Sequence, residues 1–410
     1  MDFTDTPEEA EFRAQARAFL EANAERKTPD KQIFPIGYGE EGLVPVAKDF
    51  QRRKEAAGMA GLTWPKAYGG QERPPIHQVI YNQEEANYLV PRGVFEIGLG
   101  MCIPTMMTFA TEEQKKRFVG PALRGEEVWC QLFSEPAGGS DVAGLRTRAV
   151  RDGDDWVING QKIWTSGAHF SDWGIIVVRT DPSAPKHKGL SFFFLNMKSP
   201  GIEVKRIKQI AGTSNFNEVF FTDVRVPDSQ RLGQVGEGWK VAIATLMNER
   251  LAVGQTPAPD FPEIFRLCRE LELEDGPALR NALVRDKLAD WYVQQQGLKY
   301  ARFRTMTALS RGETPGPESS MTKIVSANKR QAIAQFSIDL MEAAGPVSDP
   351  KLAPMKAMMQ EAILSSPGNR IAGGTDEILR NIIAERVLGL PQDVRVDKDI
   401  SFQDLVAKGR

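Results

Sequence analysis

Apolar residues recur at intervals of three and four along the first third of the chain, which predicts amphipathic helices. Thr6, Pro7 and Glu9 form a capping sequence with proline at the first helical position, so we expect the first helix to begin there. The apolar residues that follow at helical spacing are Phe12, Ala16, Phe19 and Leu20.

Proline and glycine interrupt this helical spacing further along. Residues 62–70 contain Pro65 and a glycine pair, which predict a loop. Helical spacing then resumes over residues 78–123, and we expect breaks at Pro91 and Pro104 because proline cannot continue the hydrogen-bond pattern of a helix.

Between residues 127 and 227 the spacing changes to short β-branched and aromatic runs separated by turn residues, which predicts strands. The clearest runs are residues 156–158, 174–178, 190–195 and 218–221. Residues 152–155, Asp-Gly-Asp-Asp, are typical of a hairpin turn between residues 149–150 and Trp156. A segment of about 100 residues of this kind predicts one compact β-domain.

Helical spacing returns after Gly238, over residues 239–253, 278–311 and 318–344. A last helix is predicted from Thr375 to Gly389, with Ile378, Ile382 and Val387 on one face. Helices, then strands, then helices predict an α+β multidomain fold. We place its domains at residues 1–125, 126–235 and 236–410.

Composition narrows the class of protein. The chain has 410 residues and a net charge of −2, so a nucleic-acid-binding surface is not expected. The distant Cys102, Cys130 and Cys268 favour a reducing compartment, and three histidines argue against a metal site. Neither a signal peptide nor a membrane-spanning run is visible, so we expect a cytoplasmic protein without membrane insertion.

Two runs in the β-region resemble the flavin-binding segments of the acyl-CoA dehydrogenases. Residues 129–141 read Trp-Cys-Gln-Leu-Phe-Ser-Glu-Pro-Ala-Gly-Gly-Ser-Asp, and their small residues would let the backbone approach a pyrophosphate. Residues 159–167 read Asn-Gly-Gln-Lys-Ile-Trp-Thr-Ser-Gly. In isolation the first run would predict a glycine-rich hairpin, and Trp164 a core aromatic residue. Their spacing favours a flavin site.

The resemblance implies bound FAD and a role for several side chains. Ser134 would contact the flavin ring, and Ser140 would contact the cofactor phosphates and the substrate. Trp164 would pack on the ring, with Ser166 beside the nitrogen that accepts hydride. Reduced flavin would pass its electrons to an electron-transfer flavoprotein.

The resemblance covers nearly the whole chain, including residues 111–115, and implies the family's architecture. That architecture is an N-terminal helical domain, a central β-barrel-like domain and a C-terminal four-helix bundle. Arg285 matches a position that reaches the cofactor of a neighbouring subunit, and Glu342 falls near another. A homodimer or homotetramer is therefore implied, although Arg285 alone equally suits a solvated helix arginine.

Residues 371–378, Ile-Ala-Gly-Gly-Thr-Asp-Glu-Ile, resemble the C-terminal signature of the family but lack one residue. In much of the family a glutamate before the Gly-Thr pair removes the α-proton of the substrate, and here that position is Gly373. Glycine keeps the backbone N–H that helps to bind the thioester carbonyl in the family. Thr375 and Glu377 match positions that contact the cofactor.

The isovaleryl and long-chain branch of the family carries its catalytic base elsewhere, on the first long helix after the β-domain. There a glutamate precedes an arginine, as Glu249 precedes Arg250 here, and apolar neighbours would raise the pKa of such a base. The resemblance implies that Arg250 supports the substrate site. Without it, the pair would be a solvated ion pair. Asp376 and Glu377 are competing bases, although acids are common in a first helical turn.

These residues lead to a first hypothesis, an FAD-dependent acyl-CoA dehydrogenase with Glu249 as its base. A second hypothesis is a flavin-binding subunit of a heteromeric dehydrogenase for bulky acyl chains such as steroid side chains. A third keeps the fold and changes the chemistry, to nitroalkane oxidation or removal of a sulfinate group.

Overall fold

The computed structural model describes residues 5–28, 31, 34–37, 39–40, 42–252, 258–310, 316, 319–392, 394 and 397–407, with the backbone alone at 249–252, 306, 309–310 and 319. The chain forms two compact units. The first comprises the described residues of 1–209, 213–252 and 394–410, and the second those of 210–212 and 253–393. This division differs from the domain boundaries expected at 125 and 235, which stay a prediction.

The N-terminal part of the first unit is helical, as predicted. Its elements are α1 (Pro7–Asn23), β1 (Glu25–Arg26), α2 (Leu43–Ala56), α3 (Pro75–Glu85), β2 (Tyr88–Leu89), α4 (Ile103–Phe109) and α5 (Glu112–Leu123). The capping box at the start of α1 is present, because the Glu9 N–H donates to Thr6 Oγ1 and the Thr6 N–H donates to Glu9 Oε2. The four apolar residues predicted for its inner face are buried.

The helix break predicted at Pro104 is wrong. A π-helical turn over Gly98–Cys102 runs directly into α4, and Pro104 is the second residue of that helix. The π-helical turn interrupts the regular hydrogen-bond pattern just before Pro104, and helices accommodate a residue without an N–H at such turns. Pro91, by contrast, lies outside the helices as predicted.

The middle of the first unit is a seven-stranded sheet with the order β3-β6-β4-β5-β9-β8, and β7 pairs with β6. The strands are β3 (Trp129–Leu132), β4 (Arg148–Asp152), β5 (Asp155–Ser166), β6 (Trp173–Arg179), β7 (Leu190–Asn196), β8 (Ile202–Ile207) and β9 (Phe216–Pro227). The four predicted runs and the hairpin at residues 152–155 are confirmed. The β3 and β8 strands were not predicted.

The paired strands β6 and β7 are buried on both faces, which explains their uninterrupted apolar sequences. Ile175 and Phe192 contribute to one hydrophobic cluster with Trp129, whereas Ile176 and Phe193 contribute to the opposite cluster. Helix α6 (Gly238–Ala252) packs in the first of these clusters through Val241 and Ala242.

The second unit is helical. Its elements are α7 (Phe261–Glu270), β10 (Glu272–Leu273), β11 (Gly276–Pro277), α8 (Ala282–Ser310), α9 (Ser319–Leu340), α10 (Met358–Asn369) and α11 (Asp376–Ile382). Helices α7 to α10 share one core, which includes Ile264, Leu267, Leu288, Trp291, Ile333 and Met359. The sequence did not predict α7 and α10. Helix α8 begins later than predicted because Asn281 Oδ1 accepts from the Leu283 N–H and caps it.

The C-terminal segment belongs to the first unit and ends in α12 (Phe402–Ala407). The Phe402 N–H donates to the Ala184 carbonyl at 2.9 Å, and its ring lies 3.5 Å from the guanidinium carbon of Arg179. Arg179 also donates to the carbonyls of Ala143 and Leu145, so it ties the segment to the loop after β3. Burial lowers the pKa of Arg179 to about 10.

Membrane-spanning helices and clusters of metal ligands can be assessed for the described residues alone. Among their helices, none combines the length and the apolar character required to cross a bilayer. In the same part of the chain, no group of three or more metal-ligating side chains occurs.

Candidate active site

The loop after β3 forms a tight, open hairpin. Glu135 and Gly138 exchange two backbone hydrogen bonds of 3.0 Å around Pro136 and Ala137. A Cβ atom added at Gly139 would meet nothing within 4 Å, and Ser140 beside it is exposed. The backbone at this hairpin is therefore accessible to a ligand, as an anion-binding glycine-rich turn requires.

A buried ion pair supports the hairpin from below. Lys162 Nζ lies 2.8 Å from Glu135 Oε1, and their side chains are 0% and 4% exposed. The carboxylate also accepts the backbone N–H groups of Arg146 and Thr147, while Lys162 donates to the Phe133 carbonyl. Burial disfavours the charge on Glu135, but Lys162 outweighs it and holds the pKa below its usual value.

Trp164 sits on β5 in a conformation that is rare for a bulky residue. Its φ is +60°, and it lies where the β5–β9 register shifts between Lys162 and Thr165. The indole is 54% exposed and meets Phe216 edge-on at 6.0 Å between ring centroids. A core aromatic residue would be buried, so the alternative reading of Trp164 is wrong. Backbone strain of this kind is concentrated at functional sites.

Three of the predicted flavin contacts, Ser134, Trp164 and Ser166, lie on one strand or directly beside it. The Ile163 N–H donates to the Ser134 carbonyl at 2.9 Å, which places Ser134 against the strand that carries Trp164. Ser166 ends the same strand and is half-buried. An exposed aromatic ring, nearby hydroxyl groups and an open glycine-rich turn fit a flavin nucleotide.

Sequence reasoning missed Thr165, which lies between Trp164 and Ser166. Its side chain is 2% exposed, and its hydroxyl has no hydrogen-bond partner among the described residues. Its carbonyl accepts from Asn217 Nδ2 at 2.8 Å, which anchors the strand at this point. The run of hydroxyl residues after Trp164 was the available signal.

In the second unit, the loop between α10 and α11 carries the C-terminal motif. Gly373 is exposed with φ +65°, and Gly374 follows with φ +94°. Thr375 caps α11, as predicted, because its Oγ1 accepts from the Ile378 N–H. Glu377 is exposed in the first turn.

Asp376 is placed as a fixed acceptor rather than as a base. Its side chain is 1% exposed, and Oδ2 accepts from Arg370 Nε at 2.8 Å and from Asn328 Nδ2 at 3.0 Å. Burial raises the pKa of this carboxyl, but the Asn328 and Arg370 donors outweigh burial and leave the pKa below its usual value. A general base works best with a raised pKa, so this environment disfavours Asp376 as the base.

The remaining predicted site residues lie on other elements than the glycine-rich hairpin, β5 and the loop between α10 and α11. Arg285 is exposed near the start of α8. Glu342 is exposed with φ +49° and begins a short 3-10 turn after α9. Glu249 and Arg250 lie in the last turn of α6, where the structure describes the backbone alone.

Comparison with known protein families accounts for almost the whole chain. Residues 6–126 match the N-terminal domain of acyl-CoA dehydrogenases, residues 130–224 the middle domain and residues 236–388 the C-terminal domain. The chain belongs to the acyl-CoA dehydrogenase family. It is therefore an oxidoreductase acting on CH–CH bonds in a family of flavoproteins, and the predicted α+β fold of this family is confirmed.

Similar proteins include two from Mycobacterium tuberculosis. The chain is 36% identical to acyl-CoA dehydrogenase IpdE1 over 94% of its own length and 98% of that protein. It is 38% identical to acyl-CoA dehydrogenase FadE34 over 83% of its length, but it spans only 46% of that longer protein. Among solved structures, the Tcur3481-Tcur3483 steroid ACAD superposes with a TM-score of 0.77 at 28% identity, covering 96% of this chain and 100% of that one.

Proposed function

We propose that this acyl-CoA dehydrogenase binds FAD and introduces an α,β double bond into an acyl-CoA thioester, with Glu249 as the base. The exposed, strained Trp164 beside Ser166 carries the proposal. A residue held in that conformation costs about 1–3 kcal/mol of folding free energy. A structural role on an open strand would not offset this cost, whereas the binding energy of a contact with a flavin ring would.

Several described residues would hold the cofactor. Trp164 would cover the flavin ring, with Ser134 and Ser166 as hydrogen-bonding neighbours. The open turn at Ser140 would receive the phosphates, since its backbone is accessible. In the second unit we assign cofactor contacts to Thr375, Glu377 and Arg285, the last toward a neighbouring subunit.

FAD, when bound, supplies the acceptor for the hydride that leaves the β-carbon. The chain's own task is to remove the α-proton and to stabilise the negative charge that develops on the thioester oxygen. The α-proton would pass to the Glu249 carboxylate as the Cα–Cβ double bond forms. The Gly373 N–H would donate to the thioester oxygen, and Arg250 would support the substrate.

Partners and setting follow from the same proposal. We assign an electron-transfer flavoprotein as the acceptor of the electrons and a homodimer or homotetramer as the assembly. A cytoplasmic location is proposed from the sequence. The acyl group is a bulky one, and the proposal draws here on the similarity to a steroid dehydrogenase.

A second candidate is one subunit of a two-component dehydrogenase. Two observations favour it: the family's commonest base position holds Gly373, and the name of the similar steroid dehydrogenase, Tcur3481-Tcur3483, joins two designations. In that case a homologous partner chain would provide the base.

Flavin bleaching under anaerobic conditions tests the proposal. The purified protein is mixed with short, branched, long, aromatic and steroid acyl-CoAs, and Glu249→Gln is compared with Glu377→Gln. We expect Glu249→Gln to keep bound FAD and to bleach about 10² to 10⁴ times more slowly, the usual worth of a general base. Full-rate bleaching by Glu249→Gln would exclude the assigned base.

Two controls separate the alternatives. Asp339→Asn removes an exposed carboxylate of α9 that accepts from Gln335, and should bleach like the wild type. Activity of the purified homo-oligomer, measured with its mass by light scattering, would exclude the two-component candidate. Product analysis identifies the enoyl-CoA and excludes nitroalkane or sulfinate chemistry.

A further inference from the structure

The loop between α10 and α11 is closed at its base by an ion pair that the proposed reaction does not itself require. We propose that Arg370 and Asp376 are positioning residues that fix the direction of the Gly373 N–H. This inference rests on the proposed function, in which that N–H donates to the thioester oxygen.

Both ends of the loop are joined twice. The Asp376 N–H donates to the Arg370 carbonyl at 3.2 Å, and Arg370 Nε donates to Asp376 Oδ2 at 2.8 Å. One bond links the main chain and the other links the side chains across the same pair. Gly373 lies in the middle of the segment that these bonds close.

Helix α9 holds this closure from one side. Asn328 Nδ2 donates to the same Asp376 oxygen at 3.0 Å, and Arg370 Nη1 donates to Gln331 Oε1 at 3.0 Å. Because Asp376 is 1% exposed, its charge depends on these donors for stabilisation. The loop is thereby fastened to a rigid helix of the same unit.

A third attachment acts next to Gly373. Lys323 Nζ, also on α9, donates to the Gly374 carbonyl at 2.6 Å. The φ values of +65° and +94° at the two glycines are ones that glycine adopts without steric cost. The loop is therefore held at Arg370, Gly374 and Asp376, while exposed Gly373 presents its backbone.

Such rigidity has a direct use in the proposed reaction. An oxyanion donor acts only from about 2.7–3.1 Å, and a misplacement of about 1 Å in an active site can cost about 10²-fold in rate. The usual glutamate side chain is absent at position 373, so the backbone N–H is the contribution that Gly373 can make. Arg370 and Asp376 would act through it without touching the substrate.

Hydrogen exchange of the full-length protein tests the loop directly and needs no substrate. In Asp376→Asn and Arg370→Met, the amides of residues 370–378 should exchange at least about tenfold faster than in the wild type. Arg370→Lys, which keeps a charged donor, should restore most of the protection, and Asp339→Asn should leave it unchanged. Arg370 is 39% exposed, so its variants remain informative if Asp376→Asn does not fold. Unchanged exchange in Arg370→Met would overturn the proposal.

A pair of ligands tests the consequence for binding. One is the acyl-CoA that bleaches the wild type fastest, and the other is the CoA thioether of the same chain, which lacks the carbonyl. Arg370→Met should reduce kcat on the thioester about tenfold to a hundredfold and bind the thioether within about twofold of the wild type. Equal losses for both ligands would overturn positioning. Failure of the wild type to bleach at all would instead overturn the proposed function. The exchange result would still show whether Arg370 and Asp376 hold the loop in place.

Discussion

Trp156 Nε1 donates to Asp228 Oδ1 at 2.7 Å, so a strand of the sheet is tied to the turn that follows β9. Arg231 forms two further bonds with the same carboxylate, at 2.9 and 3.0 Å. The Arg231 guanidinium, helped by the indole, lowers the pKa of Asp228 from 3.8 to about 2.

This pKa shift predicts a pH dependence of stability. A carboxyl with a depressed folded-state pKa stabilises the fold above its unfolded-state pKa, and that contribution is lost as the pH falls from 3.8 through about 2. We expect the free energy of unfolding of the wild type to exceed that of Asp228→Asn at neutral pH, and the difference to narrow in this window. Urea titrations measure it. A constant difference, or the same behaviour in the exposed hairpin variant Asp154→Asn, would contradict the assignment.

Removing one member of the buried pair beneath the hairpin should be costly. Lys162→Met leaves the Glu135 carboxylate buried without its partner, so we expect a loss of about 3–5 kcal/mol in the free energy of unfolding. The double variant with Glu135→Gln should lose less than the sum of the single variants. Urea unfolding of the apoprotein measures this. Lys198→Met, whose ammonium is 75% exposed and pairs with Asp172, should lose no more than about 1 kcal/mol.

The φ of Trp164 predicts an inverted order of stability between two small residues. A protein with alanine in a strand is normally more stable than the same protein with glycine there. At φ +60°, however, glycine is free of the steric strain that alanine would keep. Trp164→Gly should therefore be more stable than Trp164→Ala by about 1 kcal/mol in thermal unfolding of the apoprotein. Both variants lack the ring, so FAD titrations should show equal weakening. Tighter FAD binding by Trp164→Ala than by Trp164→Gly would argue that backbone geometry, and not the ring, binds the cofactor.

The contact between Phe402 and Arg179 should hold the C-terminal segment in place. Phe402→Leu keeps an apolar side chain but removes the ring that faces the guanidinium, which we expect to cost about 1–2 kcal/mol. Limited tryptic digestion should then cleave after Lys398, a site that the substitution leaves unchanged, faster than in the wild type. The exposed Leu352→Ala serves as the control, and equal cleavage rates in all three proteins would contradict a role for the ring.

Local sequence signals predicted the parts of the structure that depend on neighbouring residues. The capping box at Thr6 and the apolar runs of β6 and β7 are of this kind, because hydrogen bonding at a helix start and burial on both strand faces leave a local pattern. Strand β8 lies at the sheet edge and is only partly buried, and its sequence Ile-Glu-Val-Lys-Arg-Ile alternates over just four residues, which is a shorter signal than the apolar runs of β6 and β7.

Contacts between distant residues could not be read in the same way. Lys162 and Glu135 are 27 positions apart, and their pairing depends on how β5 passes the hairpin. Acids are common in a first helical turn and carry no local mark of burial, so the sequence leaves Asp376 open as a competing base. The family resemblance predicted Trp164 and Gly373, but the backbone conformation of each emerged only in three dimensions.

The left-handed backbone at Gly373 has a consequence for how this chain could change over evolution. A mutation to glutamate at this position would place a long L-residue at φ +65°, with a penalty of about 1 kcal/mol or more before any chemistry is gained. Relief would require the loop to open, and therefore changes at Arg370 or Asp376 as well. Substitutions at position 373 should therefore be confined to residues that tolerate this conformation, such as asparagine.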